Sequence, residues 1–362
     1  YDIYKKPILP EPTFKDFENT ISDVEGVLIE KALRMVIRER LAKFDRICMA
    51  LSSGIDSVLL LALMRDEFPN KPIRVFTQKG IIDETPDASN HAKRFNADFH
   101  SIERNEIVSD IPFMVKLVDE PRWNVYPYII GHQAKKFGDV LVNGDGADEI
   151  FGGYIFRYKL FSSLSGFFPL RYINCHQNDW VQDQNEIFAF DYDFNKEIQY
   201  FNRFVHNDMD IYDSFLFADY CGKLLRDYVP MGNWISKFYS IPIISPYMDN
   251  RISSIGFHIP FSEKVYNNIG KLQLRNIMKR FGITFPQKKI GHSLDIINEF
   301  KMNKHHVMSI LLNDDGLMYQ YGIISKKWME KNAEKLEYGY VNKFLQLVAL
   351  EYWLKNKYKK KC

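Results

Sequence analysis

The chain is poor in cysteine, with four in 362 residues, at positions 48, 175, 221 and 362. They form no metal-type pair and no CxxC, so the plain reading is structural thiols in a reducing compartment. No apolar run reaches the length that crosses a bilayer, and no apolar signal core follows Tyr1-Asp2-Ile3-Tyr4-Lys5-Lys6. A cytoplasmic protein without a membrane partner is therefore expected. Excess charge is also missing. Lys and Arg number 48 against 46 Asp and Glu, a formal net charge of +2, so no global field selects nucleic acid. The histidines, including the pair His305-His306, show no metal-ligand spacing. The basic run Lys355–Lys361 reads as a solvated tail. There is no internal repeat and no long linker.

What is present suits a soluble globular chain long enough for two domains: 46% hydrophobic, 26% charged and 15% aromatic residues. Residues 1–21 look extended, with Pro7, Pro10 and Pro12 opposing a helix. Ser22-Asp23-Val24-Glu25 has the form of a capping box. Val24, Val27, Leu28, Ala32, Val36 and Leu41 then recur at helical spacing. Strand-like runs at Arg46–Leu51, Ile73–Thr77, Ala97–Ile102 and Val140–Asn143 alternate with helical segments at Val58–Phe68, Pro86–Phe95 and Pro127–Phe137. That order predicts an α/β core over residues 22–154, a parallel sheet with helices on both faces. Ligands bind such sheets at the carboxyl ends of the strands. Residues 155–210 are rich in aromatics, Asn and Asp and carry weak periodicity. From Tyr212 the pattern is mainly helical, ending in a helix over Val341–Leu354. Residues 155–362 are expected to pack on the core.

Two loops stand out. Leu51-Ser52-Ser53-Gly54-Ile55-Asp56-Ser57 follows a buried strand and opens an apolar helix. Small residues there let backbone amides approach a ligand, and a helix start favours phosphate. Asp56 beside a phosphate makes sense chiefly with Mg²⁺ between them. No Gly-Lys-Ser/Thr follows and the three spaced glycines of a dinucleotide fingerprint are absent. The second loop, Asn143-Gly144-Asp145-Gly146-Ala147-Asp148-Glu149-Ile150-Phe151-Gly152-Gly153-Tyr154, also follows a strand. Its acids could hold a metal or move a proton, and its spacing is not that of an EF-hand. Both loops should lie on one sheet edge.

The first loop resembles the Ser-Gly-Gly-x-Asp-Ser loop of ATP pyrophosphatases, with Ser53 in place of the first Gly. The second resembles the Ser-Gly-Asp-Gly-Gly-Asp-Glu-Leu-Phe-Gly-Gly-Tyr signature of the asparagine synthetase family. Asp119-Glu120-Pro121, Ser245-Pro246-Tyr247-Met248-Asp249 and Gln287-Lys288-Lys289-Ile290-Gly291 resemble further segments of that family, in order. The resemblance implies the adenine nucleotide α-hydrolase-like fold of ATP pyrophosphatase type. It implies activation of a carboxylate by ATP as an acyl-adenylate, with pyrophosphate leaving, and attack by an amine to give an amide and AMP.

Carried over by position, Asp56 and Asp148 would hold Mg²⁺. Leu51, Ser52, Ser53, Gly54, Asp56, Ser57, Gln78, Asn143 and Gly144 would line the ATP site, Gln78 meeting the adenine through its backbone. Asp145 would deprotonate the amine. Lys289, or its neighbour Lys288, would stabilise charge on the adenylate and leaving phosphates. Family members with an N-terminal glutaminase domain start with a catalytic Cys, whereas this chain starts with Tyr1, so a synthetase lacking that domain is expected. Its partners would be a small-molecule carboxylate and ammonia or another amine, with a separate glutaminase subunit and a homodimer as protein partners to test. The family's Glu-x-Arg falls at Pro242 and Ile244, which puts aspartate as substrate in question. Competing readings are a cyclase resembling β-lactam synthetase, a tRNA sulfurtransferase, and a nucleotide-binding subunit of a glutaminase. An acid at Asp145 favours the synthetase over the cyclase.

Overall fold

The computed structural model describes residues 12–80, 83–103, 107–176, 183–206, 208–286 and 295–358. The chain divides into two compact units, the first made of Tyr1–Glu103, Ile129–Leu164 and Phe201–His292. Its centre is a five-stranded sheet of order β3-β2-β1-β4-β5, every neighbouring pair parallel. The strands are β1 (Ile47–Ala50), β2 (Ile73–Gln78), β3 (Asp98–Ile102), β4 (Val140–Val142) and β5 (Ile243–Ile244). This is the expected α/β class. β1 lies between β2 and β4, and Ile47, Cys48 and Met49 are at most 1% exposed, which is why it reads as an unbroken apolar run. β5 carries no strand signal in the sequence: the stretch Pro242–Pro246 reads only as a break, yet Ile243 and Ile244 pair with Leu141 and Val142.

Three helices take the places the periodicity predicts: α1 (Val27–Leu41), α2 (Ile55–Glu67) and α3 (Thr85–Arg94). α2 is apolar on all sides and is buried accordingly, from Val58 to Met64 without exposed surface. α1 departs from its expected start. Gly26 enters it in the left-handed conformation, φ 72°, and the Ser22–Glu25 capping box does not form. Instead the Asp23 carboxylate accepts from the amides of Leu28 and Ile29, at 3.2 and 3.0 Å, and the Ser22 hydroxyl donates to Glu263. That later start rotates the face. Val24, Val27 and Leu28 are exposed, while Ile29, Ala32, Leu33, Val36, Ile37 and Leu41 form the buried stripe.

β4 leads into α4 (Ala147–Phe151), and α5 (Leu272–Arg280) packs against both α1 and α2. Between them the chain winds as a π-helix over Ala218–Tyr228, eleven residues of a form more often seen as a single-turn bulge.

The second unit comprises Arg104–Tyr128, Ser165–Tyr200 and Ser293–Cys362. Helices Ile107–Val118, Ile296–Leu311 and Tyr338–Tyr358 pack together around Phe300, Trp328 and Phe344. Its buried acids cap helix starts: Glu351 accepts from the amides of Leu317 and Met318, each at 3.0 Å, and Glu299 from that of Ile107 at 3.0 Å. Of the stripe Phe344, Leu345, Val348 and Tyr352 expected to pack, the first three are buried and Tyr352 is half-exposed. Cys48, Cys175 and Cys221 are buried and joined in no disulfide among the described residues; Cys362 and residues 1–11 lie outside the described residues. Among the described residues no helix is long and apolar enough to cross a membrane.

Candidate active site

The strand order reverses direction at β1, with β2 on one side and β4 on the other. Such a switch point is where open α/β sheets bind ligands. Because β1 and β4 are parallel neighbours, the two loops singled out by sequence leave the same edge side by side. They touch. A Cβ built on Gly144 would sit 3.3 Å from the Asp56 Cβ and 3.6 Å from the Ser57 nitrogen.

The first loop is held by its own serines. The Ser57 hydroxyl accepts from the Ser52 amide at 3.0 Å, lies 3.0 Å from the Ser52 hydroxyl, and has the Ser52 and Gly54 carbonyls in reach. The Ser52 Oγ accepts from the Gly54 amide at 3.1 Å. Ser53 stays outside the left-handed region, so a serine is accommodated where related loops carry Gly. Gly54 precedes α2 with φ −77°, and no side chain caps that helix start. Its first amides are thus presented to the edge with the positive end of the helix dipole. Leu51 is pinned by the Thr77 hydroxyl, which donates to its carbonyl at 2.7 Å. Gln78 ends β2 and is 7% exposed; among the described residues its Nε2 finds no hydrogen-bond partner. A buried amide with an open donor fits a ligand that accepts a hydrogen bond there.

In the second loop, Gly146 turns the chain at φ 96° into α4. Asn143 organises the approach: its Nδ2 donates to Asp145 Oδ2 at 2.7 Å, and its Oδ1 accepts from the Ser245 hydroxyl. Asp145 is pushed up to about 6, first by burial and then by the negative charge of Glu149, against the Asn143 hydrogen bond. Glu149 is buried and likewise raised, chiefly by desolvation, while Lys223 and the Tyr154 hydroxyl favour its charge. Tyr154 donates to Glu149 Oε1 at 2.7 Å, and Lys223, from the π-helix, donates to the Tyr154 oxygen at 3.3 Å.

Asp56 and Asp148 meet on one cation, and it is a lysine. Lys271 Nζ stands 2.7 and 2.5 Å from the two oxygens of Asp56 and 2.6 Å from Asp148 Oδ1. Gly153 makes room for this: a Cβ there would fall 1.7 Å from Asp148 Oδ1 and 2.5 Å from Lys271 Cε. The Tyr247 hydroxyl donates to the Asp56 carbonyl at 2.9 Å. A cleft of about 880 Å³ opens beside α2, with Gly54, Asp56, Lys271, Arg275, Phe156 and Lys159 among its walls. Arg275 ties α5 to the carbonyls of Phe285 and Pro286, at 3.0 and 3.1 Å.

The structure thus brings together Leu51, Ser52, Ser53, Gly54, Asp56, Ser57, Asn143, Gly144, Asp145 and Asp148, and sets Gln78 at the end of the neighbouring strand. Lys288 and Lys289 lie outside the described residues. Sequence reasoning missed Lys271, Lys223 and the roles of Ser245 and Tyr247. Lys271 follows Gly270 at a helix start, and no spacing links it to the acids it serves. Among the described residues no group of three His, Cys, Asp or Glu forms a metal cage. Two convergent carboxylates without a cage suit Mg²⁺, which usually completes its shell with water and substrate phosphates.

The profile of the asparagine synthase family matches residues 28–355. An asparagine synthetase (glutamine-hydrolyzing) of Gallus gallus is 29% identical over 164 residues, 41% of this chain and 28% of that protein. Asparagine synthetase (glutamine-hydrolyzing) 1 of Bacillus subtilis is 33% identical over 118 residues, 30% of this chain and 18% of its own length. The chain therefore spans under a third of these relatives. A solved structure of an NH3-dependent NAD synthetase from Campylobacter jejuni overlaps 58% of this chain and 96% of its own, with 11% identity and a TM-score of 0.29, too low to support any inference. The chain belongs to the asparagine synthase family.

Proposed function

We propose that this chain is an ATP-dependent, amide-forming synthetase that activates a carboxylate as an acyl-adenylate, releases pyrophosphate, and passes the acyl group to ammonia or another amine with release of AMP. The observation that carries the reading is the convergence of Asp56 and Asp148 on a single cation position at the edge where the two glycine-bearing loops touch.

Each residue then has a task that its surroundings allow. The open amides at the start of α2, with Ser52, Ser53, Gly54 and Ser57, hold the leaving phosphates. Asn143 and Gly144 form the opposite lip, and the buried Gln78 amide meets the adenine. Asp56 and Asp148 would hold Mg²⁺, which when bound offsets charge on the phosphate oxygens. Asp145, held by Asn143 and poised near neutrality, takes the proton of the attacking amine. Lys289 is assigned to charge on the adenylate by resemblance alone.

The test is to incubate the purified chain with ATP, Mg²⁺, ammonium and a panel of carboxylic acids including aspartate, and to follow AMP and pyrophosphate by mass spectrometry. AMP with pyrophosphate, dependent on one acid, supports the reading and names the substrate. Production of ADP instead would overturn the mechanism.

A further inference from the structure

We propose that Lys271 is an internal counter-cation that competes with a divalent ion for the carboxylates of Asp56 and Asp148, so that metal and nucleotide bind to this chain as a coupled pair. The inference rests on the reading of those two acids as the metal ligands. Both oxygens of Asp56 accept hydrogen bonds from the ammonium, at 2.7 and 2.5 Å, and Asp148 Oδ1 stands 2.6 Å from it as an ion pair. Mg²⁺ held by these carboxylates at about 2.0–2.1 Å would set two cations against one pair of acids, and their repulsion opposes metal to ammonium. The lysine is 4% exposed, and burial makes the attraction stronger than at a surface.

Its backbone is fixed. The Lys271 amide donates to the Phe151 carbonyl at 3.0 Å, its φ is 61°, and a Cβ on the preceding Gly270 would fall 2.1 Å from the Gly152 oxygen. Only the side chain can yield. Gly153 leaves the space beside its Cε, and Lys271 shares the walls of the cleft with Ser53 and Gly54. Phosphates held at that helix start would give the displaced ammonium a new partner. A divalent ion alone must expel the lysine with nothing to receive it; with nucleotide present the expelled charge is compensated. Coupling of this kind is reciprocal.

The experiment is a Mn²⁺ titration of the full chain followed by electron paramagnetic resonance, with and without α,β-methylene-ATP. The parent chain should bind Mn²⁺ weakly alone and much more tightly with the analogue. Lys271→Met should bind Mn²⁺ alone at least tenfold more tightly than the parent, and gain less from the analogue. Lys271→Gln is the second neutral variant should the first not fold, and Lys271→Arg, which keeps the charge, should stay weak. Unchanged Mn²⁺ affinity in both folded neutral variants would overturn the counter-cation role. The metal-site reading fails separately: if Asp56→Asn leaves intact the Mn²⁺ bound by the parent with analogue, or by Lys271→Met alone, the ion is not on this pair.

Discussion

Asp145→Asn should make the chain more stable at pH 7 while blocking amide formation more than adenylation. The carboxyl sits at about 6 in the folded chain, against roughly 3.9 for an unfolded aspartate. Between those values the folded state holds the proton more tightly than the unfolded state. The stability tied to Asp145 is therefore full below about pH 4 and is lost as pH rises through about 6. At pH 7 the whole penalty is present, about two pH units at roughly 1.4 kcal/mol each. Asp145 is only partly buried by surface area, and solvent screening trims the expected gain to about 1–3 kcal/mol. Asparagine preserves the geometry, because its side-chain oxygen can still accept the 2.7 Å bond from Asn143 Nδ2. Urea unfolding of parent and variant at pH 7 and pH 4.5 measures the difference, and the gain should shrink to about a third at the lower pH. No gain at pH 7, or the same gain at both values, would refute the assignment of an ionised, unfavourably placed carboxylate.

Asp56→Asn and Asp148→Asn should each lower Mg²⁺-dependent release of AMP and pyrophosphate by about 10²–10³-fold; full activity in either would remove that residue from the metal site. Gly153→Ala puts a methyl carbon 1.7 Å from Asp148 Oδ1. A stability loss of about 1–3 kcal/mol is expected on thermal unfolding, with activity lost too. Away from the site, Lys264 and Asp213 form an ion pair with neither side chain exposed, Nζ to Oδ1 3.6 Å. Asp213→Ala strands the ammonium and should cost about 3–5 kcal/mol in urea unfolding, whereas Asp213→Leu combined with Lys264→Met should recover most of it.

The central strand, the helix α2 and both loops could be read from sequence because their signals are local. β1 and Val58–Met64 are apolar without interruption, and Gly-bearing acidic turns directly after strands are rare. What stayed hidden depends on distant chain. Val24, Val27 and Leu28 fit a helical stripe, yet Asp23 caps α1 from outside it and turns them to solvent. β5 has only two paired residues between prolines, too few to register as a strand. Lys271 and Lys223 each stand between a glycine and a leucine, in no motif. Their meaning comes from tertiary placement, against Asp56 and Asp148 in one case and beside Tyr154 and Glu149 in the other. The helix Ile107–Val118, apolar on its inner side, went unassigned because Pro112 stands inside it, a residue that argues against a helix interior.

The ladder between β1 and β4 is three residue pairs long, and on it the two loops depend. Parallel neighbours cannot be joined by a hairpin. All the chain from Leu51 to Asp139 must first be made and its loop closed before Val140 can dock beside Ile47, at an entropic cost that grows with the loop. During synthesis, then, the serine loop emerges early and stays half a site until the later strand arrives. A nucleotide that bridged both loops, as proposed, would select for completed chains alone. It should slow unfolding and raise the yield of refolding by mass action, well before any turnover occurs.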